Sequence, residues 1–281
     1  MNHAAGRVDL HLHTTASDGT HTPSQIVQMA QALGLRAIAI TDHDCMAGVH
    51  EATAAAAGSA LLVIPGVELS TDVPEGEVHV LGYYLDDANP ELQTLLAKLR
   101  GARLQRARRM VEKLAALGLP LSWDRVQAIA NGAAVGRPHV ARALLEAGHV
   151  SSVQDAFSLY IGRHGPAYVE RYRLTPAEAV ALVRRLGGLP VLAHPSFVPN
   201  LPERLPQLVA AGLTGMEVWY TGYSPDTTSE LSALARQYGL VETGGSDFHG
   251  VSVMPSAILG AVPVPYAAVE ELERRRALTK R

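Results

Sequence analysis

The chain has 281 residues, of which 47% are hydrophobic and 18% are charged, and its formal net charge is −3 at pH 7. This composition is that of a globular protein with enough residues for one barrel-sized domain or for a domain with an insertion. No apolar run approaches the roughly 18 residues that cross a membrane, and no signal-peptide pattern opens the chain. The single cysteine, Cys45, excludes an internal disulfide and favours a cytoplasmic location.

Strand and helix patterns alternate through the first 89 residues. The apolar runs predict strands over 8–13, 37–44, 61–68 and 78–84, and the helical patterns predict helices over 23–33 and 49–57. Such alternation is typical of parallel βα units. Polar residues gather where the apolar runs end, and barrel enzymes hold their chemistry at the ends of parallel strands.

Residues 90–175 interrupt this alternation. They predict a long basic helix over 91–117 and further helices over 123–131, 138–147 and 153–160. Strands resume over 189–194, 215–220 and 240–247, each after a helix-like segment. We predict an α/β fold in which seven strands close a (β/α)7 barrel. Residues 1–89 and 176–281 would form this metal-binding barrel, and residues 90–175 would be a helical insertion that covers the active site.

Positive charge is concentrated around this insertion. Residues 98–185 contain 15 Lys and Arg against 6 Asp and Glu, so the rest of the chain carries a net negative charge. An acidic region attracts cations and a basic region attracts anions. We therefore expect an anionic substrate between a basic insertion and an acidic body. A solvated helix face is the alternative explanation, and we favour it for the basic run over 98–113.

The first predicted strand ends in a pattern that suits a metal ion. Side chains alternate along a strand, so His11 and His13 point the same way, roughly 7 Å apart at Cα. Two imidazoles at this spacing, with Asp18 from the following loop, can bind one divalent ion. A single His-x-His pair is more often a surface or packing feature, so the prediction depends on the other strand ends.

The other strand ends carry residues of the same kind. These are Asp42, His43, Asp44, Glu68, His79, His194, Asp247 and His249, so that six of the 12 histidines fall on one rim. Imidazoles and carboxylates without thiolates suit Mn²⁺, Fe²⁺ or Zn²⁺. The candidates outnumber the ligands of one ion, which predicts two or three ions with a bridging carboxylate such as Glu68.

These motifs resemble those of a known family. His11-Leu-His13, Thr41-Asp-His43-Asp, Gly66-Val-Glu68, Ala193-His194-Pro and Gly245-Ser-Asp247-Phe-His249 are similar to the successive motifs of the PHP (polymerase and histidinol phosphatase) family. The resemblance implies a distorted seven-stranded barrel with three ions, for which we expect Mn²⁺ before Fe²⁺ or Zn²⁺. It implies one ion at His11, His13, Glu68 and Asp247, a second at Glu68, His79 and His194, and a third at Asp18, His43 and His249.

The sequence of the predicted insertion resembles one particular branch of the PHP family. Gly136-Arg137-Pro-His139 and the segment 157–169 look like the TrpH-like branch, whose members are similar to 3′,5′-nucleoside bisphosphate phosphatases and to a 5′-to-3′ exoribonuclease. This implies removal of the 3′-phosphate from nucleoside 3′,5′-bisphosphates, and trimming of short single-stranded RNA as a further activity. The alternatives are a phosphatase for a small ester such as histidinol phosphate and a non-catalytic metal-binding domain. We expect no duplex DNA, membrane or obligate protein partner.

Other residues are candidates for proton transfer and substrate binding. His194 and His249, although predicted ligands, are candidate acids for the leaving group, and Asp42 either donates a proton or orients its neighbour His43. Arg137 lies at a predicted helix start, where a guanidinium and free N–H groups suit a second phosphate. The remaining substrate-binding candidates are His139, Arg163 and Arg171. For His139, packing at the helix start is an equal alternative, and for Phe157 and Tyr168 packing is favoured over base stacking.

Overall fold

Eight strands form one mixed sheet that curls into a nearly closed barrel. The computed structural model describes residues 7–133, 135–170 and 172–279. The strands are β1 (Arg7–Leu12), β2 (Ala37–Ile40), β3 (Leu62–Val73), β4 (Gly76–Tyr83), β5 (Leu189–Leu192), β6 (Gly215–Tyr220), β7 (Val241–Gly245) and β8 (Val264–Pro265). Their spatial order is β7-β6-β5-β4-β3-β2-β1-β8. The predicted α/β barrel is confirmed, and the two-residue β8 is an addition that the sequence patterns did not indicate.

The barrel closes where β7 returns to β1. The backbone N–H of Asp247 donates to the carbonyl of His11 at 2.9 Å, and the N–H of His13 donates to the carbonyl of Phe248 at 3.0 Å. On its other side β1 pairs with β8 in antiparallel fashion through Arg7 and Val8. The carboxyl end of β1, which carries the two histidines, therefore lies next to the carboxyl end of β7.

The expectation of parallel βα units is wrong for β4. Two residues separate β3 from β4, which is enough for a hairpin but far too short for the crossover that parallel strands need. Strand β4 runs antiparallel to both β3 and β5. His79, the fourth residue of β4, lies opposite Ser70 of β3, and its carbonyl accepts the N–H of Ala193 just after β5 at 3.1 Å. The reversed direction of β4 brings this histidine to the same rim as the ends of the parallel strands.

Helices cover the outside of the barrel and make up most of segment 90–175. In the described part of the chain they are α1 (Pro23–Ala32), α2 (Ala47–Ala56), α3 (Pro90–Ala116), α4 (Trp123–Ala130), α5 (Arg137–Glu146), α6 (Val153–Ala156), a π-helix over Phe157–Ile161, α7 (Pro176–Arg185), α8 (Leu201–Ala210), α9 (Pro225–Gln237) and α10 (Ala267–Thr279). Helix α1 begins as predicted, because the hydroxyl of Thr22 accepts the N–H of Gln25 at 3.2 Å. None of these helices is both long and apolar enough to cross a membrane.

Helix α3 connects two hydrophobic cores. Its first half contributes Leu92, Leu96 and Leu99 to the core between the barrel and its outer helices. Its second half contributes Met110 and Leu114 to a separate core within segment 90–175. The helix runs without a break through Gly101 and so places side chains between the two cores. The division of the chain into a barrel and an insertion stays a prediction.

Candidate metal centre

All nine predicted metal ligands meet at one rim of the barrel. They come from the end of β1 and the loop after it, from the loop after β2, from β3 and β4, and from the turns after β5 and β7. They are His11, His13, Asp18, His43, Glu68, His79, His194, Asp247 and His249. The tertiary structure thus brings together residues that are spread over most of the chain.

The carboxylate of Glu68 lies at the centre of this cluster and is 1% exposed. Three imidazole nitrogens lie 3.1–3.3 Å from its Oε2, those of His11, His13 and His43. Two more lie near its Oε1, that of His79 at 2.7 Å and that of His194 at 3.3 Å. Because the two oxygens face different sets of imidazoles, Glu68 is the residue that could hold two ions at once.

Three compact groups of potential ligands share this region. One consists of His11, His13, Glu68 and Asp247, the set predicted for the first ion. The others are His43 with Glu68 and His79, and His13 with Asp18, His43 and His249. His194 contacts Glu68 but belongs to none of these groups, whereas His43 and His13 each belong to two. The assignment of individual residues to individual ions stays a prediction.

Several atoms of the cluster are buried without a hydrogen bond. Among the described residues, none offers a correctly aligned partner to His11 Nε2, His13 Nε2, His79 Nδ1, Asp18 Oδ1, Glu68 Oε2 or Asp247 Oδ1. A buried polar atom without a partner costs about 1–3 kcal/mol. Divalent cations would remove this cost at every one of these atoms, and nitrogen and oxygen ligands without thiolate suit Mn²⁺, Fe²⁺ or Zn²⁺. The residues therefore fit divalent metal ions.

The charges in the cluster influence one another strongly. Burial raises the pKa of Glu68, but His43, His79 and His11 outweigh burial and hold that pKa well below its usual value. Burial lowers the pKa of His249, but Asp18 and Asp247 outweigh it and raise the pKa to about 10. The carboxylates are consequently ionised at neutral pH and attract cations. Because imidazoles bind metals in their neutral form, metal binding here would release protons.

Glu217 on β6 is a part of the site that the sequence analysis missed. It is fully buried, its Oε1 lies 3.1 Å from His11 Nδ1, and its Oε2 accepts the backbone N–H of His194 at 2.7 Å. A carboxylate that accepts the Nδ1–H of an imidazole leaves the Nε2 atom available to a metal. The available signal was a glutamate within an apolar strand, Gly215-Met-Glu-Val-Trp-Tyr.

Asp42 faces the loop after β1, and its carboxylate is completely buried. Its Oδ1 accepts the N–H of Thr14 at 2.8 Å and the hydroxyl of Ser17 at 2.6 Å, and its Oδ2 accepts the hydroxyl of Thr14 at 2.7 Å. Burial raises its pKa. These contacts fix the loop that joins His13 to Asp18, whereas orientation of His43 by Asp42 and proton donation by Asp42 both stay predictions.

Two of the ligand candidates have a left-handed backbone conformation. His194 has φ 30° and Asp247 has φ 54°. Non-glycine residues in this region cost about 1–3 kcal/mol and persist only where neighbouring contacts hold them. Glu217 holds the backbone N–H of His194, and the hydroxyl of Tyr220 donates to Asp247 Oδ2 at 2.7 Å. Strain at these two strand ends is therefore balanced by contacts within the site.

Arginines of the predicted insertion line a small cavity beside the cluster. The cavity has a volume of about 80 Å³, and its lining residues are Asp18, His43, Ser70, Glu77, His79, Arg103, Arg106, Arg137, Pro138 and Phe157. Arg137 forms an ion pair with Glu77, and Arg103 Nε donates to Asp44 Oδ2 at 2.6 Å. The solvated-helix interpretation is wrong for Arg103 and Arg106, which are 8% and 6% exposed.

The sequence contained a signal for the two buried arginines. Leu99, Arg103, Arg106 and Met110 follow one another at helical spacing and form a single stripe of α3. The charges of its two arginines suggested that this stripe is exposed to solvent. The stripe instead faces the site, in the region between the two cores that α3 connects. Arg106 Nε also donates to the carbonyl of Val169 at 2.9 Å.

The other substrate-binding candidates lie in different surroundings. His139 is buried, and its Nδ1 accepts the N–H of Gly136 at 2.9 Å, which fits packing at the start of α5. Arg163 pairs with Asp72 and donates to the carbonyls of Val73 and Pro74, at 3.1 and 3.0 Å, so it ties segment 90–175 to the β3–β4 hairpin. Arg171 lies outside the described residues. Substrate binding by these three stays a prediction, which the contacts of His139 and Arg163 do not favour.

A wider cleft opens on the cluster next to the arginine-lined cavity. Its volume is about 310 Å³, and its lining residues are His43, Glu68, Glu77, His79, His194, Phe197, Tyr220 and Asp247. The cleft and the cavity share His43, Glu77 and His79. A ligand in the cleft can therefore reach the arginines and the cluster of potential metal ligands at the same time.

Comparisons with known proteins agree on one family. Residues 9–148 match the family model of the PHP domain. The 5′-3′ exoribonuclease Rnm of Salmonella typhimurium is 39% identical over 247 residues, which cover 86% of this chain and 84% of that protein. A 3′,5′-nucleoside bisphosphate phosphatase of Chromobacterium violaceum is 36% identical over 247 residues, with 86% of this chain and 87% of that protein covered.

A solved structure agrees over almost the whole length. A protein from Bifidobacterium adolescentis, described as a metal-dependent phosphoesterase, superposes with a TM-score of 0.88 and is 35% identical. The superposition covers 97% of this chain and 96% of that chain. The motifs, the barrel with its cluster of imidazoles and carboxylates, and these three relatives lead to one conclusion. The chain belongs to the PHP domain family.

Proposed function

We propose that this protein is a metal-dependent phosphoesterase that removes the 3′-phosphate from nucleoside 3′,5′-bisphosphates and releases the nucleoside 5′-monophosphate. The observation that carries the proposal is the arginine-lined cavity directly beside the cluster of potential metal ligands. Arg103, Arg106 and Arg137 line the same cavity as His43 and His79. A substrate with two phosphates can use both places, whereas a simple monoester needs only the cluster.

The residues at the rim are proposed to hold three divalent ions, with Mn²⁺ preferred; for His194, metal binding and proton donation are alternatives, because a metal-bound imidazole is a poor proton donor. When bound, such ions would lower the pKa of water and neutralise charge on the phosphate oxygens. The chain itself positions the substrate, because a single guanidinium group can donate two parallel hydrogen bonds to one phosphate. Arg103, Arg106 and Arg137 would hold the 5′-phosphate and so keep the 3′-phosphate at the cluster. Holding the reacting group in a fixed geometry lowers the entropic part of the activation barrier.

The leaving 3′-oxygen needs a proton, and His194 is the residue that we favour as its donor. His194 lines the cleft and lies outside the three compact groups of potential ligands. His249 remains a candidate, but its Nε2 lies 3.4 Å from Asp18 and its Nδ1 is 2.9 Å from the carbonyl of Asp247, so both ring nitrogens already have neighbours. Asp42 is the weakest candidate, because Thr14 and Ser17 occupy its carboxylate.

Trimming of short single-stranded RNA from its 5′ end is a second proposed activity. A relative that is 39% identical is a 5′-3′ exoribonuclease. The chemistry is the same in both cases: a 5′-phosphate in the arginine-lined cavity places the phosphorus on the 3′-oxygen of the same nucleotide at the cluster. Both reactions then release a nucleoside 5′-monophosphate. We further propose that segment 90–175 covers this site and that the protein acts in a reducing cytoplasm.

The first test is phosphate release by the Mn²⁺-loaded protein. The substrates are adenosine 3′,5′-bisphosphate, AMP, histidinol phosphate and a short 5′-phosphorylated RNA. We expect a strong preference for the bisphosphate, with AMP as its product, and release of 5′-mononucleotides from the RNA. A preference for histidinol phosphate would leave the metal centre in place but would contradict the role that we give to the arginines.

A further inference from the structure

Phe197 is an unusual surface residue at the edge of the cleft. Its side chain is 64% exposed, although it lies only three residues after His194, in the short 3₁₀ turn Pro195–Phe197. Single exposed apolar residues are common and need no explanation by themselves. The surroundings of Phe197 distinguish it from such residues, because its ring is both held in place and directed at the site.

Two tyrosines support the Phe197 ring from behind. The ring centroids of Tyr220 and Tyr223 lie 5.9 and 6.2 Å from that of Phe197 and 5.1 Å from each other. The hydroxyl of Tyr223 accepts the backbone N–H of Ser196 at 3.1 Å, which fixes the turn that carries Phe197. The hydroxyl of Tyr220 donates to Asp247. We call Phe197, Tyr220 and Tyr223 the aromatic cluster.

The aromatic cluster occupies the part of the site that has no other apolar surface of this kind. Phe197 lines the cleft but not the arginine-lined cavity, and Tyr220 beside it is 7% exposed. The other residues that line the cleft carry imidazole or carboxylate groups. Phe197 is therefore the main flat apolar surface that a ligand in the cleft can meet.

The three regions of the site correspond to the three parts of one ligand. The arginines suit one phosphate, the cluster of potential metal ligands suits another, and an exposed aromatic ring suits a flat aromatic group. We propose that Phe197, supported by Tyr220 and Tyr223, stacks on the nucleobase of the nucleotide whose 3′-phosphate lies at the metal centre. This inference rests on the proposed function and adds a residue that selects nucleotides over other bisphosphates.

Phe157 and Tyr168, the aromatic residues that the sequence suggested for stacking, have other contacts. The guanidinium of Arg137 lies 5.4 Å from the ring centroid of Phe157, within the arginine-lined cavity. The guanidinium of Arg106 lies 5.3 Å from the ring centroid of Tyr168, which packs against the core of segment 90–175. These two rings therefore pack against arginines, and Phe197 is the ring that we propose for stacking on the nucleobase.

The test compares two substrates that differ only in the base. One is adenosine 3′,5′-bisphosphate, and the other is the abasic 1-deoxyribose 3,5-bisphosphate, which keeps both phosphates and the 2-hydroxyl. Stacking of a base on an aromatic side chain predicts a roughly 10- to 100-fold higher KM of Phe197→Ala for the adenosine substrate, with kcat within about twofold. The abasic substrate should show no change, and Phe197→Trp should retain the KM of the unchanged protein. Leu278→Ala, which shortens another exposed apolar side chain, serves as the control.

Each other result would overturn the proposal. An equal rise of KM for both substrates would show that Phe197 acts on the structure of the site, and no change for either would show that the base does not touch it. Metal content and melting temperature of Phe197→Ala establish that the variant is folded. If the unchanged protein hydrolyses neither bisphosphate, the proposed function fails, and equilibrium binding of AMP against ribose 5-phosphate decides on stacking. Tighter binding of AMP that Phe197→Ala abolishes would support it, and equal binding would overturn it.

Discussion

Glu217 Oε1 lies 3.1 Å from Nδ1 of His11, a residue 206 positions away in the chain. The second oxygen of this carboxylate accepts the backbone N–H of His194 at 2.7 Å. One buried side chain on β6 thus sets the ring orientation of a predicted ligand on β1 and the backbone of another after β5. Glu217 itself belongs to none of the three groups of potential metal ligands, so it acts through its neighbours.

Replacement of Glu217 by glutamine should weaken metal binding without leaving a cavity in the core. The amide NH₂ of the variant would face one of the two N–H donors that the carboxylate now accepts. Loss of such an orienting contact lowers metal affinity or activity by roughly 10- to 100-fold. Titration of the metal-free variant with Mn²⁺ measures the affinity directly. Glu242→Gln on β7, outside the cluster, is the control, and equal affinities of the two variants would contradict the role of Glu217.

Replacement of Asp18 by alanine should remove one of the three proposed ions. Asp18 belongs to one compact group only, together with His13, His43 and His249. We expect elemental analysis to find one ion fewer per chain, and kcat for adenosine 3′,5′-bisphosphate to fall by at least roughly 10-fold. Asp226→Ala, at an exposed position of α9, should change neither value. Full activity with an unchanged metal content would refute the three-ion proposal.

Replacement of Arg137 by alanine should affect substrates with two phosphates selectively. A charge-assisted hydrogen bond contributes about 1.5–3 kcal/mol, which corresponds to roughly 10- to 100-fold in affinity. We therefore expect KM to rise by this factor for adenosine 3′,5′-bisphosphate and to stay constant for a simple monoester. Arg109→Ala, exposed on the same basic helix, should leave both constants unchanged. A similar effect of Arg137→Ala on both substrates would exclude a second phosphate site at this residue.

The role of His194 can be tested by comparing substrates whose leaving groups do and do not need a proton. If His194 protonates the leaving 3′-oxygen, His194→Asn should lower kcat for adenosine 3′,5′-bisphosphate by roughly 10²- to 10⁴-fold. An aryl phosphate such as p-nitrophenyl phosphate needs no proton on its leaving group. For this substrate the fall in kcat of His194→Asn should be much smaller. Equal losses on both substrates, together with a lower metal content, would instead identify His194 as a metal ligand alone.

The sequence by itself determined the chemistry of the metal centre. Strand alternation places His11 and His13 on one side of β1, and the polar residues that end the other apolar runs are local features of each segment. The resemblance to the PHP family then identified all nine ligand candidates, and all nine meet at the rim. Local patterns were sufficient for most of these residues because they end a strand or lie in the loop after one, whereas the complete set came from the resemblance to the family.

Only the tertiary structure decided what lies around that centre. His79 was identified as a candidate, but its place on an antiparallel strand depends on the two-residue turn after β3 and on pairing with β5. The charges of Arg103 and Arg106 suggested solvent, whereas the packing of α3 between two cores buries them. Glu217 and Phe197 gain their significance from residues distant in the chain. Such contacts depend on how complete strands and helices pack, which no short stretch of sequence determines.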